Sequence, residues 1–310
     1  MPPEIRKLDS APSSVPQLLR AALASAPLVD RLPVIGIGGE RAADVPELVL
    51  ELDAVGIEAL RLAEYCRVCG FALRDTLPLT YPHILGFPLQ MALLNEPKFP
   101  FGPIGLVHIA NKITRHRPIG GTEKLDLRVS ATKLEPHPKG RTFSLITEAR
   151  VDGELVWEGV STTLRRGGGG ESGAEGTSGA AAKKPTTTAA APELGQAAEW
   201  TLRSDLGRRY ASVSGDRNPI HLYDLTAKAL GFKKAIVHGM WTKARCLAQI
   251  ESELPDAVVA EVAFKLPIFL PATVVFASGE AKSRRKVKPI AFEVRSPDGK
   301  PHLQGSAGAI

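Results

Sequence analysis

The chain has 310 residues, enough for about two domains, with a 44% hydrophobic fraction that supports packed cores and an ordinary 23% charged fraction. Its net charge of +6 is too mild for a nucleic-acid-binding signature, although it suits an acidic partner such as a phosphorylated cofactor or an acidic carrier protein. No apolar run reaches the length of a membrane span.

Residues 1–33 read as a loose leader with one short amphipathic helix, Val15 to Ala24. Ala24-Ser25-Ala26 resembles a signal cleavage site, but the apolar run before it is short and carries Arg20. Residues 34–166 read as a first folded unit. Its opening Ile35-Gly36-Ile37-Gly38-Gly39 lacks a third spaced glycine and leads into no long helix, so it reads as a turn and not a nucleotide loop. Ile57 to Phe71 has helical spacing at Leu60, Ala63, Glu64 and Val68. Leu77 to Pro82 is an extended, proline-punctuated stretch. Ile84 to Leu94 is apolar on nearly every face, which predicts a helix buried all round, with Pro88 tolerable only in its first turn. Strand-like runs follow at Gly105 to Ile113, Leu125 to Leu134, Arg141 to Val151 and Glu154 to Leu164, with Asp152-Gly153 as a hairpin turn.

Residues 167–198 are Gly, Ala, Ser, Thr and Pro with almost no large apolar side chain, so they read as a flexible linker. Residues 199–310 then repeat the plan. Leu202 to Val213 looks helical, Asp224 can cap a short helix that Gly231 ends, and Gly239 to Leu254 has Met240, Ala244, Leu247, Ile250 and Leu254 on one face. Strand-like runs return at Ala257 to Leu266, Ala272 to Ala281 and Ile290 to Val294, and Asp298-Gly299 turns the chain into a last strand. The basic run Lys282, Arg284, Arg285, Lys286 and Lys288 reads as a solvated strand edge rather than a phosphate-docking patch.

The two units match in spacing. Gly86 and Pro118 are as far apart as Gly239 and Pro271, and Asn111 and Phe264 stand equally far beyond their glycines. Each unit is therefore a buried helix followed by an antiparallel meander, and two such units side by side make one sheet around two central helices. They differ between Tyr210 and Gly239, where the second unit is longer and carries Asp216 and His221; His83 is the nearest comparable group in the first.

A free carboxylate, a nearby imidazole and a glycine-led helix start can make an acid/base site with an oxyanion donor. Asp216 and His221 can hold one water between them and share the base and acid roles. Gly239 offers a free backbone N–H at the positive end of a helix. Asn218 shapes the turn or fixes His221, and Pro219 stiffens it. His238 reads as a positioning or packing residue, and His108 and His116 as packing or surface residues in strands. Three cysteines, Cys66, Cys69 and Cys246, are too few for a disulfide framework and fit a reducing cytoplasm. Cys66 and Cys69 form a lone CxxC with no second pair and no histidine nearby, so no metal site is expected.

Tyr210, Ser214-Gly215-Asp216-Arg217-Asn218-Pro219-Ile220-His221 and Val237-His238-Gly239-Met240 resemble the motif of the MaoC-like, or (R)-specific enoyl-CoA hydratase, family. The duplication, together with Pro78 to Pro82 and Phe99-Pro100-Phe101, resembles its two-domain members, the 3-hydroxyacyl-thioester dehydratases. The resemblance implies an α+β double hotdog, two antiparallel-sheet units each wrapped around a central helix. It implies reversible hydration of trans-2-enoyl thioesters to (R)-3-hydroxyacyl thioesters, with Asp216 and His221 facing the thioester. The substrate is an acyl-CoA or an acyl-carrier-protein thioester, and no cofactor or metal is implied. The first unit is then the non-catalytic copy that makes room for an acyl chain. A monomer or homodimer is expected, because the duplication supplies the pairing that single-domain relatives obtain by dimerising. A non-catalytic acyl-thioester-binding subunit and a hotdog thioesterase are the alternatives.

Overall fold

The computed structural model describes residues 3–12, 44–103, 105–166, 196–281 and 288–310. The predicted Val15 to Ala24 helix, the Ile35 to Gly39 turn, residues 167–195 of the linker and the basic residues Lys282 to Lys286 lie outside the described residues. β1 (Glu4–Lys7) comes first. Then β2 (Leu48–Val55), α1 (Ala59–Cys69) and α2 (Tyr81–Leu94) lead into β3 (Leu106–Arg115), β4 (Leu125–Ala131), β5 (Glu135–His137), β6 (Gly140–Val151) and β7 (Glu154–Arg166). The second half runs β8 (Gln196–Leu202), α3 (Leu206–Ser214), α4 (Asp224–Ala229), α5 (Gly239–Gln249), β9 (Val258–Phe264), β10 (Ala272–Glu280), β11 (Ile290–Arg295) and β12 (Pro301–Ala309).

Among the described residues the strands form one 12-stranded sheet, in the order β1-β2-β4-β6-β7-β3-β9-β12-β11-β10-β8, with β5 paired to β6. Outward from the central β3–β9 seam the two halves repeat the same order of strands. At the seam Ala110 pairs antiparallel with Ala263, two positions related by the offset that also relates Gly86 to Gly239. A pseudo-two-fold axis therefore passes through this pair, and the spacing match in the sequence is a structural repeat. The fold is a double hotdog, with α2 and α5 as the two central helices.

The strands form where alternate residues are apolar. On β6, Phe143, Leu145, Ala149 and Val151 are buried and alternate with the half-buried Ser144, Ile146, Glu148 and Arg150 on the other face. Asp152 and Gly153 both take positive φ, 50° and 82°, as a tight hairpin turn demands. The α2 helix is buried on nearly all sides, and each fully enclosed leucine or isoleucine, such as Ile84, Leu89 and Leu93, contributes roughly 2 kcal/mol. Tyr65, Tyr81 and Tyr210 join α1, α2 and α3, with ring centroids 5.2 Å (Tyr65–Tyr81) and 6.3 Å (Tyr65–Tyr210) apart and the Tyr65 hydroxyl donating to Thr80 Oγ1. Cys66, Cys69 and Cys246 are unpaired and buried, and burial pushes the Cys66 thiol up to about 11. The CxxC lies at the C-terminal end of α1, where the helix dipole opposes a thiolate, so its cysteines pack rather than react.

Several sequence expectations change. The α2 helix starts at Tyr81, not Ile84, with Pro82 in its first turn, and this puts Pro88 in the helix interior. The leader is not loose throughout, because β1 pairs in parallel with β2. Neither β1 nor β2 was expected, nor was β8, which takes the last residues of the predicted linker and Leu202 from the predicted helix. Asp224 is the first residue of α4 rather than its cap, and its carboxylate instead accepts from the Ala235 N–H at 2.9 Å. The α5 helix stops at Gln249 and gives way to a short 3-10 turn, Glu251–Glu253. No described helix is long and apolar enough to cross a membrane.

Candidate active site

The motif stretch begins where α3 ends. Gly215 follows in the left-handed region, with φ of 80°. The Asp216 N–H donates to Ser214 Oγ at 3.2 Å, and Asp216 Oδ1 accepts from the Asn218 N–H at 3.1 Å, a side-chain-closed turn. Asn218 Oδ1 in turn accepts from the Ile220 N–H at 3.4 Å and opens a single 3-10 turn, Pro219–His221, with Pro219 at its first position. Asn218 therefore shapes the turn; the nearest fixing contact on His221 comes from elsewhere. That turn can rest on α3 only because residue 207 is glycine: a Cβ there would stand 1.8 Å from the His221 carbonyl oxygen.

His221 is buried, and its Nδ1 donates to the Ile236 carbonyl at 2.8 Å. A carbonyl can only accept, so the proton sits on Nδ1 and the lone pair on Nε2. His238, the residue before α5, donates from Nε2 to the Asp216 backbone carbonyl at 3.0 Å. Its ring stacks on His221 with centroids 3.7 Å apart and lies 4.9 Å from the Tyr210 ring. His238 thus clamps the motif turn to the start of α5. Burial lowers the pKa of both histidines; Asp216 partly offsets this for His221, and His221 lowers that of His238 further. The Asp216 carboxylate is 28% exposed and opens to solvent.

Asp216, His221 and His238 each bring one side-chain atom to within 4.8 Å of the others. Two hydrogen bonds from one water span about 4.6 Å at a tetrahedral angle, so this spacing accommodates a bridging water. It is also the spacing of a metal site. His238 Nε2 and His221 Nδ1 are committed to carbonyls, which leaves His221 Nε2, His238 Nδ1 and the Asp216 carboxylate as the atoms that could ligate.

Gly239 is the first residue of α5, so its N–H has no partner within the helix. A Cβ at Gly239 would meet the Phe264 ring at 3.0 Å. Its repeat equivalent, Gly86, is inside α2, where the N–H is consumed by the helix, and a Cβ there would meet the Thr147 methyl at 2.6 Å. The first half therefore lacks the exposed donor as well as the carboxylate and imidazole.

One residue near this site was not anticipated. Lys243, one turn along α5, is fully buried. Its Nζ donates to Asn111 Oδ1 (2.6 Å), the Asn111 carbonyl (3.2 Å) and the Ala260 carbonyl (2.9 Å), tying α5 to both strands of the seam. Its repeat equivalent is Gln90, bonded to Thr147 Oγ1 at 2.9 Å. Among the first-half histidines, His83 lies within α2 rather than before it, His116 is exposed, and the His108 ring lies 4.9 Å from that of Phe264. A groove of about 390 Å³ between Arg67, Trp200, Arg209, Trp241 and Arg245 holds none of the motif residues.

Known proteins share both the motif and the fold. Residues 185–297 match the MaoC like domain. The chain is 36% identical to 3-hydroxyacyl-thioester dehydratase X of Mycobacterium tuberculosis over 263 residues, covering 84% of this chain and 87% of that protein. It is 32% identical to the (R)-specific enoyl-CoA hydratase of Aeromonas caviae over 105 residues, or 32% of this chain and 78% of that one. A crystal structure of HtdX from M. tuberculosis superposes with a TM-score of 0.71 at 32% identity, over 84% of this chain and 100% of that chain. With the relative matched along most of both lengths, the chain belongs to the MaoC-like family, in its double-hotdog form.

Proposed function

We propose that this protein interconverts trans-2-enoyl and (R)-3-hydroxyacyl thioesters by adding or removing water, in fatty-acid metabolism. The names of its relatives support the reaction. The observation that carries the residue assignment is the fixed His221 tautomer, which leaves an unprotonated Nε2 on an imidazole clustered with the Asp216 carboxylate. Asp216 and His221 hold the water that attacks Cβ and return a proton to Cα. Because the two are coupled, they titrate as a pair. Gly239 N–H stabilises the thioester oxygen as it gains negative charge, a contact worth roughly 3 kcal/mol of barrier. Asn218 and His238 hold these groups in place. The chemistry as drawn uses no cofactor or metal.

On this reading residues 199–310 are the catalytic hotdog and residues 34–166 its partner wall. The carrier is CoA or an acyl carrier protein, and the unpaired cysteines support a cytoplasmic activity. Loss of enoyl absorbance with trans-2-enoyl-CoA, without release of free thiol, is the expected result; thiol release from saturated acyl-CoA would instead mark a thioesterase.

The pH profile follows from burial. His221 must be neutral to accept a proton, and its pKa is lowered from 6.5. The neutral form therefore persists below that value, and kcat/KM should hold level through pH 6.5 and fall only at more acidic pH. A fall centred above 6.5 would contradict His221 as base.

Gly239→Ala is expected to cost about tenfold to a hundredfold in kcat, part of the full value of an oxyanion donor. The added methyl presses on Phe264 and on the space the acyl group needs, while the N–H remains. Steady-state kinetics beside a thermal melt would check this.

A further inference from the structure

The groove beside α5 has a lining that the proposed reaction does not use. Arg67, Arg203, Arg209 and Arg245 all line it, against one acidic side chain, Glu199. Arg67 is paired with Glu64, and Arg203 with Asp205. Arg209 and Arg245 are half-buried, and among the described residues neither guanidinium has an ion pair or a hydrogen bond. A guanidinium carries five N–H donors, and taking it partly out of water without an acceptor is costly.

Arg245 is held in this place by its surroundings. Its guanidinium carbon lies 5.3 Å from the centroid of the Trp200 ring, and Trp200 is itself stacked on Phe276, with centroids 5.1 Å apart. The ring attracts the charge but gives the N–H groups no oxygen acceptor. Arg245 also crosses Gly70, which ends α1 with φ of 85°; a Cβ there would stand 1.7 Å from Arg245 Nη1. The carbonyl end of α1 draws a cation to this spot. Its nearby carbonyls are spoken for, however: the Gly70 and Phe71 N–H groups donate to that of Cys66, and Trp241 Nε1 donates to that of Val68 at 3.0 Å. Burial accordingly pulls the Arg245 pKa below its usual value.

Size and charge set the class of ligand. At about 390 Å³ the groove is near the lower end of small-molecule sites. Two uncompensated guanidiniums call for a compact anion with more than one charge and several acceptor oxygens. A phosphate group carries roughly −1.5 to −2 near neutral pH and three such oxygens, whereas a carboxylate brings a single charge.

We propose that the groove lined by Arg209 and Arg245 binds a phosphate group, at a site separate from Asp216, His221 and Gly239. The group is carried by a free phosphorylated compound or by CoA. Binding there does not depend on the hydratase reading.

Calorimetric titration of the full chain with inorganic pyrophosphate, at about 0.1 M salt so that exposed charges are screened, tests the site. A Kd of roughly 0.1–1 mM is expected. Arg245→Gln and Arg209→Gln should each weaken binding by about tenfold to a hundredfold, the loss of a hydrogen bond to a charged group. Arg245→Lys keeps the charge without the fork and should recover part of the affinity. Lys133→Gln removes an exposed charge outside the groove and should change nothing. A thermal melt checks each fold, and Arg209→Gln carries the test if Arg245→Gln is unfolded. Displacement of pyrophosphate by CoA, but not by phosphate-free pantetheine, assigns the site to the CoA phosphates. Pyrophosphate binding undisturbed by saturating CoA assigns it to a free phosphorylated compound. No binding up to about 10 mM, equal affinity in both glutamine variants, or an equal loss in Lys133→Gln overturns the site.

Discussion

Asp216→Asn is expected to lower kcat for enoyl-thioester hydration by about a thousandfold or more with the fold intact. Acid–base groups contribute roughly a hundredfold to ten-thousandfold, and here one side chain is assigned both to bind the water and to take part in moving its proton. Asparagine is nearly the same shape. Its Oδ1 can still accept from the Asn218 N–H, so the turn that presents the residue should survive. What disappears is the negative charge and the capacity to take a proton. His221→Ala should be equally damaging, because it removes the free Nε2 and also the ring on which His238 stacks. Steady-state rates with trans-2-enoyl-CoA, paired with far-UV circular dichroism and a thermal melt, separate chemistry from folding. Near-wild-type turnover in a folded Asp216→Asn protein would rule the carboxylate out of the mechanism.

Lys243→Met should show the largest loss of stability, about 2–4 kcal/mol. Methionine fills the volume, but Asn111 Oδ1 and the Ala260 carbonyl lose their donor in the middle of the sheet. The effect should depend on pH with a definite sign. Burial holds the folded-state pKa of Lys243 well below its usual 10.5, so between those two values the unfolded chain binds more protons than the native one. Stability contributed by this residue therefore rises with pH toward about 10.5, and the variant lacks that rise. Denaturant unfolding of both proteins at pH 7 and pH 9 should show the gap widening at the higher pH. A constant or shrinking gap would mean that Lys243 keeps an ordinary pKa in the fold.

The sequence made some of this legible and hid the rest, for physical reasons. Long strands such as β6 and β7 announce themselves by alternation and by the Asp152-Gly153 turn between them. The motif residues Asp216, Asn218 and His221 were legible because the turn that holds them is local, built from side chains that bond two positions along. By contrast β1 has a single apolar side chain, and β8 is an edge strand with two alanines among its first three residues, so neither shows a clean period. The start of α2 was masked by Pro78 and Pro82, whose extended reading competed with the helix-opening role that Pro82 actually takes. Lys243 gave no local signal at all, because its partner Asn111 is far away in the chain and meets it only when β3 and β9 pair. The same holds for His108, whose ring meets Phe264 only when β3 and β9 pair.

The seam has a bearing on solubility as well as on shape. A strand at the rim of a sheet exposes a row of backbone donors and acceptors that can recruit any passing strand. In this fold β3 and β9 cap one another, so the inner strands of both hotdogs are not at a rim; that place falls to β1 and β8. Neither half is therefore self-sufficient. If one opens, the other is left with a long, sticky margin, which makes unfolding of the two halves a shared event and makes either half alone prone to aggregate or to pair with a second copy of itself.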